Sequence, residues 1–239
     1  MASGRPIRKK RLSALNNLVL LITAGPTVED IDPVRFISNR SSGRMGVAMA
    51  AQAAKRGARV ILVHGPLQVP LPGGRRIETI AVRSAHEMHR AVMRKIAGTD
   101  VAILCAAVAD YAPLKTARHK LKKTNRTVLR LELVRTPDIL AAIGSRTPRP
   151  VLVGFAAETK NVARNAMDKL RRKNCDIICA NNVLQKGSGF AAATNRITLY
   201  RRDNTPKPLP LLDKNAAAAR ILDEVERVWL AKCKAGGGQ

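Results

Sequence analysis

Aromatic and acidic residues are both scarce in this 239-residue chain. One Trp, two Tyr and three Phe make up 3% of it, and 17 Asp and Glu stand against 43 Lys and Arg, a formal charge of +26. So few aromatic rings leave little for nucleic-acid bases to stack on, and no recognised nucleic-acid motif appears, which argues against a basic nucleic-acid-binding protein. So little acid favours anionic partners, among them nucleotides, phosphorylated metabolites, nucleic acid and acidic membrane. The basic residues are spread along the whole chain as well as in the run Arg8–Arg11. So much charge exceeds what one small active site needs, and a basic proteome or nonspecific polyanion affinity accounts for it better than a specific partner does.

Other absences narrow the classes further. No apolar run reaches the roughly 18 residues of a membrane-spanning helix, so a soluble protein with no membrane partner is expected. The start, MASGRPIRKKRLSALNNLVLLITAG, is basic and then apolar like a signal peptide, but its apolar part runs on into a strand-and-turn pattern. Cys105, Cys175, Cys179 and Cys233 form no C-x-x-C pair and no disulfide framework. Buried free thiols in a reducing cytoplasm fit them. There is no G-x-G-x-x-G, and after the second strand HGP stands where a dinucleotide site has its ribose-binding acid. This argues against an NAD(P)-binding Rossmann oxidoreductase, which the βαβ pattern would otherwise suit.

What is present is regular alternation. Short apolar, β-branched runs at Leu18–Thr23, Ala58–His64, Asp100–Ala109, Val151–Ala157, Asp176–Ala180 and Arg196–Arg201 alternate with helical patterns near Gly43–Arg56, Ser84–Ala97, Pro137–Gly144, Val162–Lys173 and Lys214–Lys232. The pattern predicts an α/β fold, a Rossmann-like mostly parallel sheet with helices on both faces. Arg196–Leu212, with a turn at Asp203-Asn204 and a Pro-containing edge, predicts a C-terminal β-hairpin extending the sheet. One domain is expected over residues 17–234, between a basic disordered tail at 1–16 and a short disordered tail at 235–239. Ligands of such a sheet bind beyond the carboxyl ends of its strands.

The unusual strings fall in those strand-end loops. A βα connection usually takes 2–6 residues, but Ala24–Ser42 spends far more. It ends in Ser-Ser-Gly at a helix start, where Ser41 or Ser42 is placed to cap the helix and Gly43 and Gly46 let backbone approach a phosphate. The same glycines equally suit close packing of helix on strand. Arg35 and Asn39, taken singly, read as a solvated charge and a loop-stabilising amide. Asp100–Tyr111, DVAILCAAVADY, ends a buried strand in small residues and one carboxylate, Asp110, suited to a flat ring or to capping the next turn. Lys120, Lys122 and Lys123 lie in a polar segment that reads as a solvated face or as a mobile lysine over a triphosphate. Thr136-Pro137-Asp138 is a helix start with Thr136 as N-cap. VGFAAET places Phe155 and Glu158 at a strand end, and Lys169 and Lys173 share a helix face.

Taken together, DPVRFISNRSSGRMG, CAAVADY, HKLKK, TPDIL and VGFAAET closely resemble the phosphopantothenoylcysteine synthetases, with matching strings in order from Ile22 to Leu199. The resemblance implies a ligase that joins 4'-phosphopantothenate to L-cysteine through an acyl-nucleotide intermediate, in coenzyme A biosynthesis. It implies CTP, or ATP, as co-substrate with Mg2+, no dedicated metal site, and a homodimer. Arg35, Asn39 and Ala107 are implied at the substrate, with Arg35, Asn39 and Lys120 catalytic. Ser42, Gly43, Cys105, Ala106, Ala107 and Asp110 are implied at the nucleotide. So are Lys120, Pro137, Asp138, Ile139 and Leu140, together with Phe155, Lys169 and Lys173. Bacterial members are often fused behind a flavin-dependent decarboxylase. The resemblance covers the synthetase part alone, so the expectation is a stand-alone synthetase or that part of a longer chain, without decarboxylation. One departure is the Ala191–Ala193 stretch before Asn195, where the family usually carries an acid.

Overall fold

The computed structural model describes residues 13–123, 127–185, 187–189, 192–202 and 204–236. In chain order its elements are β1 (Val19–Ala24), β2 (Val28–Asp30), β3 (Phe36–Ser38), α1 (Arg44–Lys55), β4 (Arg59–His64), β5 (Ile77–Ala81) and α2 (Ala85–Lys95). There follow β6 (Val101–Leu104), β7 (Tyr111–Pro113), β8 (Leu133–Arg135), α3 (Ile139–Gly144), β9 (Val151–Glu158), α4 (Val162–Arg172) and β10 (Ile177–Asn182). The chain ends in β11 (Thr194–Asn195), β12 (Thr198–Arg201), β13 (Asn204–Pro208), β14 (Leu212–Asp213) and α5 (Lys214–Gly236).

One eight-stranded sheet runs in the order β13-β12-β10-β9-β6-β1-β4-β5. From β5 to β10 all neighbours are parallel, and β12 and β13 add an antiparallel hairpin. Strand side chains alternate between faces, so β1 feeds two cores. Leu20, Ile22 and Ala24 join Met49 of α1 and Ile221 of α5, whereas Leu21 joins Met88 of α2, Ile143 of α3 and Leu170 of α4. Each buried Leu, Ile or Met side chain among these contributes about 1.5–3 kcal/mol. The expected Rossmann-like sheet, covered on both faces and extended by a C-terminal hairpin, is therefore the fold. The turn residue Asp203 lies outside the described residues. Pro206 and Pro208 sit on the edge strand β13, where a missing N–H breaks no interior ladder.

Several details differ from the sequence reading. The half-polar strand β5 was not anticipated; as an edge it pairs only with β4, so it needs no continuous apolar run. The strand expected over Asp100–Ala109 leaves the sheet after Leu104, where the Ala106 and Ala109 amides find the hydroxyls of Thr23, near the end of β1, and Thr27, in the loop after it. Ser13–Asn16, expected in a disordered tail, form a turn with Leu15 fully buried, and the Ser13 hydroxyl donates to Glu226 Oε1 at 2.6 Å. At the other end α5 continues through Gly236. Residues 1–12, with the Arg8–Arg11 run, and 237–239 lie outside the described residues.

Candidate active site

β4 and β5 lie to one side of β1, and β6, β9 and β10 to the other. The topology thus reverses between β1 and β6, and in open parallel sheets the ligand crevice lies at such a reversal, beyond the strand ends. Here the two emerging loops are stitched together. Ala106 N–H donates to Thr23 Oγ1 at 3.1 Å, Ala107 N–H to the Gly25 carbonyl at 2.9 Å and Ala109 N–H to Thr27 Oγ1 at 2.9 Å. Two threonine hydroxyls, of Thr23 in β1 and Thr27 beyond it, thereby continue past the end of β6 the hydrogen bonding that strand neighbours supply within the sheet.

Two cavities open over this seam. The larger, about 920 Å³, holds Ala106, Asp110, Pro137, Asp138, Ile139 and Leu140. Phe155, Lys169 and Lys173 complete the predicted residues on its wall. The smaller, about 360 Å³, is lined by Asn39, Ser42, Gly43, Cys105 and Ala107. Ala106, Asp110, Phe155 and Lys169 belong to both, so the cavities share a wall. Arg35 and Lys120 line neither.

The caps differ from expectation. α1 begins at Gly43 in the left-handed region, φ 79°, without a side-chain cap, and a Cβ there would stand 2.1 Å from the Leu67 side chain. Gly46 serves close packing: a Cβ would lie 2.5 Å from the Ala24 Cβ. α3 is capped by Asp138, whose Oδ1 accepts the Ala141 N–H at 2.8 Å, rather than by Thr136. The Thr136 hydroxyl donates instead to the Ala109 carbonyl at 2.6 Å, fixing the strand-end loop against the start of α3.

Charge in the crevice is arranged around buried amines. Lys169 Nζ donates to the Phe155 carbonyl at 2.8 Å, and burial pushes this amine below its ordinary value against the pull of Glu158, Asp138 and Asp110. Lys173 pairs with Asp138. Burial raises the Asp138 carboxyl, but the Lys173 ammonium and the Ala141 N–H outweigh it and hold the group below its usual value. Cys105 is pushed up to about 12 by burial, so its thiol stays protonated at neutral pH and is no nucleophile. Lys214, at the first turn of α5, enters the smaller cavity beside Arg44; burial and the Arg44 charge lower its amine. No motif pointed to Lys214 or Thr23, which reach the crevice through tertiary packing; Arg44 stands inside the string DPVRFISNRSSGRMG but was given no role there. Asn195 is buried on the same wall, and its Oδ1 has no hydrogen-bond partner among the described residues. Of the Ala191–Ala193 departure just ahead of it, Ala191 lies outside the described residues.

Asn39 and Arg35 are held differently. The Asn39 amide donates to the Ala107 and Val108 carbonyls at 3.1 and 3.0 Å, which fixes it on the seam. Arg35 forms an ion pair with buried Asp32 at 2.5 Å and donates to the Leu121 carbonyl at 2.9 Å. It therefore stands on the β2–β3 hairpin, next to the segment that carries exposed Lys120. Among the described residues no group of His, Cys, Asp and Glu is placed to hold a metal ion, and no helix is long and apolar enough to cross a membrane.

The sheet and its strand-end crevice define a Rossmann-like α/β protein with its candidate site at the topological switch point. More narrowly, the family model described as DNA/pantothenate metabolism flavoprotein C-terminal domain matches residues 15–228, and the chain belongs to this family. It is 47% identical over 205 residues to the coenzyme A biosynthesis bifunctional protein CoaBC of Vibrio cholerae, a match covering 85% of this chain and 51% of that protein. To the protein of the same name from Bacillus subtilis it is 45% identical over 206 residues, 86% of this chain and 50% of the relative. The crystal structure of the C-terminal domain of CoaBC superposes with a TM-score of 0.76 at 42% identity, covering 90% of this chain and 97% of that domain. The chain spans about half the length of the curated relatives it matches.

Proposed function

We propose that the crevice joins 4'-phosphopantothenate to L-cysteine at the expense of CTP. The observation that carries this reading is the meeting of Asn39, Asp110, Phe155 and Lys169 around two cavities that share a wall, in a chain of this family. A carboxylate forms an amide only once it bears a leaving group. Its oxygen attacks the α-phosphorus of CTP, the α–β P–O bond breaks and pyrophosphate departs. The cysteine amine then attacks the acyl carbon, the bond to CMP breaks, and the amine sheds a proton.

In this reading the base and ribose occupy the larger cavity, beside Asp110, Phe155 and the segment Pro137–Leu140, with Lys169 and Lys173 near the phosphates. The α1 N-terminus at Ser42 and Gly43, with Arg44 and Lys214, supplies positive charge at the smaller cavity. Asn39, beside Ala107, orients the reacting carboxylate, Arg35 balances the charge formed on it, and Lys120 stabilises the departing CMP. Mg2+ would arrive with the nucleotide rather than in a site of the chain's own residues, and would neutralise phosphate charge, as triphosphate chemistry generally needs.

A second copy of the chain completes the assembly. β8 is exposed along its whole length, and Phe36, Val34, Tyr111, Leu133 and Val134 present apolar surface on the adjoining hairpins. An exposed apolar edge of this kind calls for a cover, and a homodimer formed through it supplies one.

The test is pyrophosphate release from CTP, with ATP in parallel, with and without 4'-phosphopantothenate and cysteine. Release that requires phosphopantothenate, falls by about 10²-fold in Asn39→Asp and persists in Lys120→Gln while amide formation is lost is the expected result. No release with either nucleotide from folded protein overturns the ligase reading.

A further inference from the structure

Asp32 accepts five hydrogen bonds with a side chain that is wholly buried, and its two oxygens do different work. Oδ1 takes the N–H groups of Val34 and Arg35, both at 2.8 Å, which closes the local turn. Oδ2 takes Arg35 Nε at 3.1 Å, Arg35 Nη2 at 2.5 Å and the Leu121 N–H at 3.0 Å. Arg35 Nη2 also donates to the Leu121 carbonyl. Leu121 is therefore gripped by both its amide and its carbonyl, and the gripped N–H belongs to the same peptide unit as the Lys120 carbonyl. The chain leading into this point is tied to the same hairpin: Ala117 N–H donates to the Ile31 carbonyl at 2.9 Å and the Thr116 hydroxyl to the Asp30 carbonyl at 3.0 Å.

The local turn needs one acceptor oxygen, which an asparagine supplies as well as an aspartate. Three further donors on the second oxygen require an ionised carboxylate, so the turn alone does not account for this residue type. We propose that Asp32 is a positioning residue that fixes Arg35 and the Lys120 segment in one geometry, so that both half-reactions depend on a carboxylate that touches no substrate. The inference rests on the roles given above to Arg35 and Lys120. The Arg35 guanidinium, opposed by burial and aided by the Leu121, Val34 and Arg35 amides, holds the carboxyl well below the usual carboxylate range, in keeping with the ionised form that the clasp needs.

The test is Asp32→Asn in the full chain. Its Oδ1 preserves the turn, while an amide nitrogen in place of Oδ2 accepts none of the three clasp bonds. Faster exchange of the Leu121 amide is expected, with pyrophosphate release and amide formation each reduced on the order of 10–100-fold, the scale of a misplaced catalytic group. With preformed acyl-nucleotide and cysteine, adding Asp32→Asn to Lys120→Gln should cost less than about threefold, because a displaced lysine has little left to lose. Costs that multiply in the double variant, or both rates within about twofold of wild type together with unchanged Leu121 exchange, overturn the proposal. Should Asp32→Asn fail to fold, Thr116→Val loosens the same segment. It should slow amide formation severalfold and spare pyrophosphate release, and no change in either sinks the clasp. A wild-type protein that performs neither half-reaction defeats the ligase reading, and Leu121 exchange then decides the clasp alone.

Discussion

The strand-end crevice and the adjoining pair of hairpins, β2–β3 and β7–β8, are held by different forces. In the crevice, backbone amides of Ala106, Ala107 and Ala109 are bound to the end of β1 and the loop that follows it, and the flanking side chains continue the two cores. The hairpins have almost no core of their own and are tied down by acids: Glu29 accepts the Ala85 N–H at 2.9 Å, Asp30 pairs with Arg83 at 2.6 Å, and Asp32 clasps Arg35 and Leu121. In a chain so poor in acid, three of its carboxylates are spent on this one region. Packing thus fixes where the cavities lie, whereas hydrogen bonds to charged groups hold Arg35 and Leu121 in place outside them. The hairpins therefore gain most from being covered by a partner.

The largest expected effect tests that last point. Val134→Asp places a charge on the exposed face of β8. If a second copy covers this face, self-association weakens by roughly 100-fold or more, as for a central interface residue, and sedimentation velocity reads the change. An unaltered sedimentation profile would move the partner surface elsewhere. The crevice side is probed by Gly46→Ala. A Cβ there falls 2.9 Å from both the Ala24 Cα and the Thr23 carbonyl oxygen, backbone that cannot swing away, so α1 must shift on β1. A loss of about 1–3 kcal/mol in urea unfolding is expected, with little effect on self-association. Loss of the dimer at unchanged stability would erase the distinction between the two regions.

The sheet was legible because its strands are nearly all buried and its helices periodic, so period and length alone separate them. The crevice followed from topology, and its residues from strings that end strands. The hairpins were not legible. Three-residue strands such as β2, β3, β7 and β8 carry too little pattern to stand apart from loop, and β8 is exposed throughout. Arg35 was anticipated at the substrate, and its placement outside both cavities depends on Asp32, whose bond to Leu121 spans 89 positions. Thr136 failed as a cap for a related reason: Asp138 takes the Ala141 amide, and a carbonyl 27 positions earlier claims the threonine hydroxyl. Lys214 escaped notice because nothing local distinguishes it from the other lysines of so basic a chain.

The smallest effect sharpens the comparison from the crevice side. Burial lowers the folded-state amine of Lys169 beneath its ordinary value of 10.5, so the unfolded chain holds that proton more tightly than the folded one. Between the lowered value and 10.5, the unfolded state binds more protons, and folding stability rises with pH there. Many other groups titrate in the same window, so the informative quantity is the difference between wild type and Lys169→Met. That difference should shift in favour of wild type as pH climbs towards 10.5. CTP should reverse part of the trend, because its phosphates favour the ammonium and its binding weakens as the proton leaves. Parallel curves for the two proteins, with and without CTP, would mean that the amine is solvated in the free protein and that the crevice is held no more tightly than the hairpins.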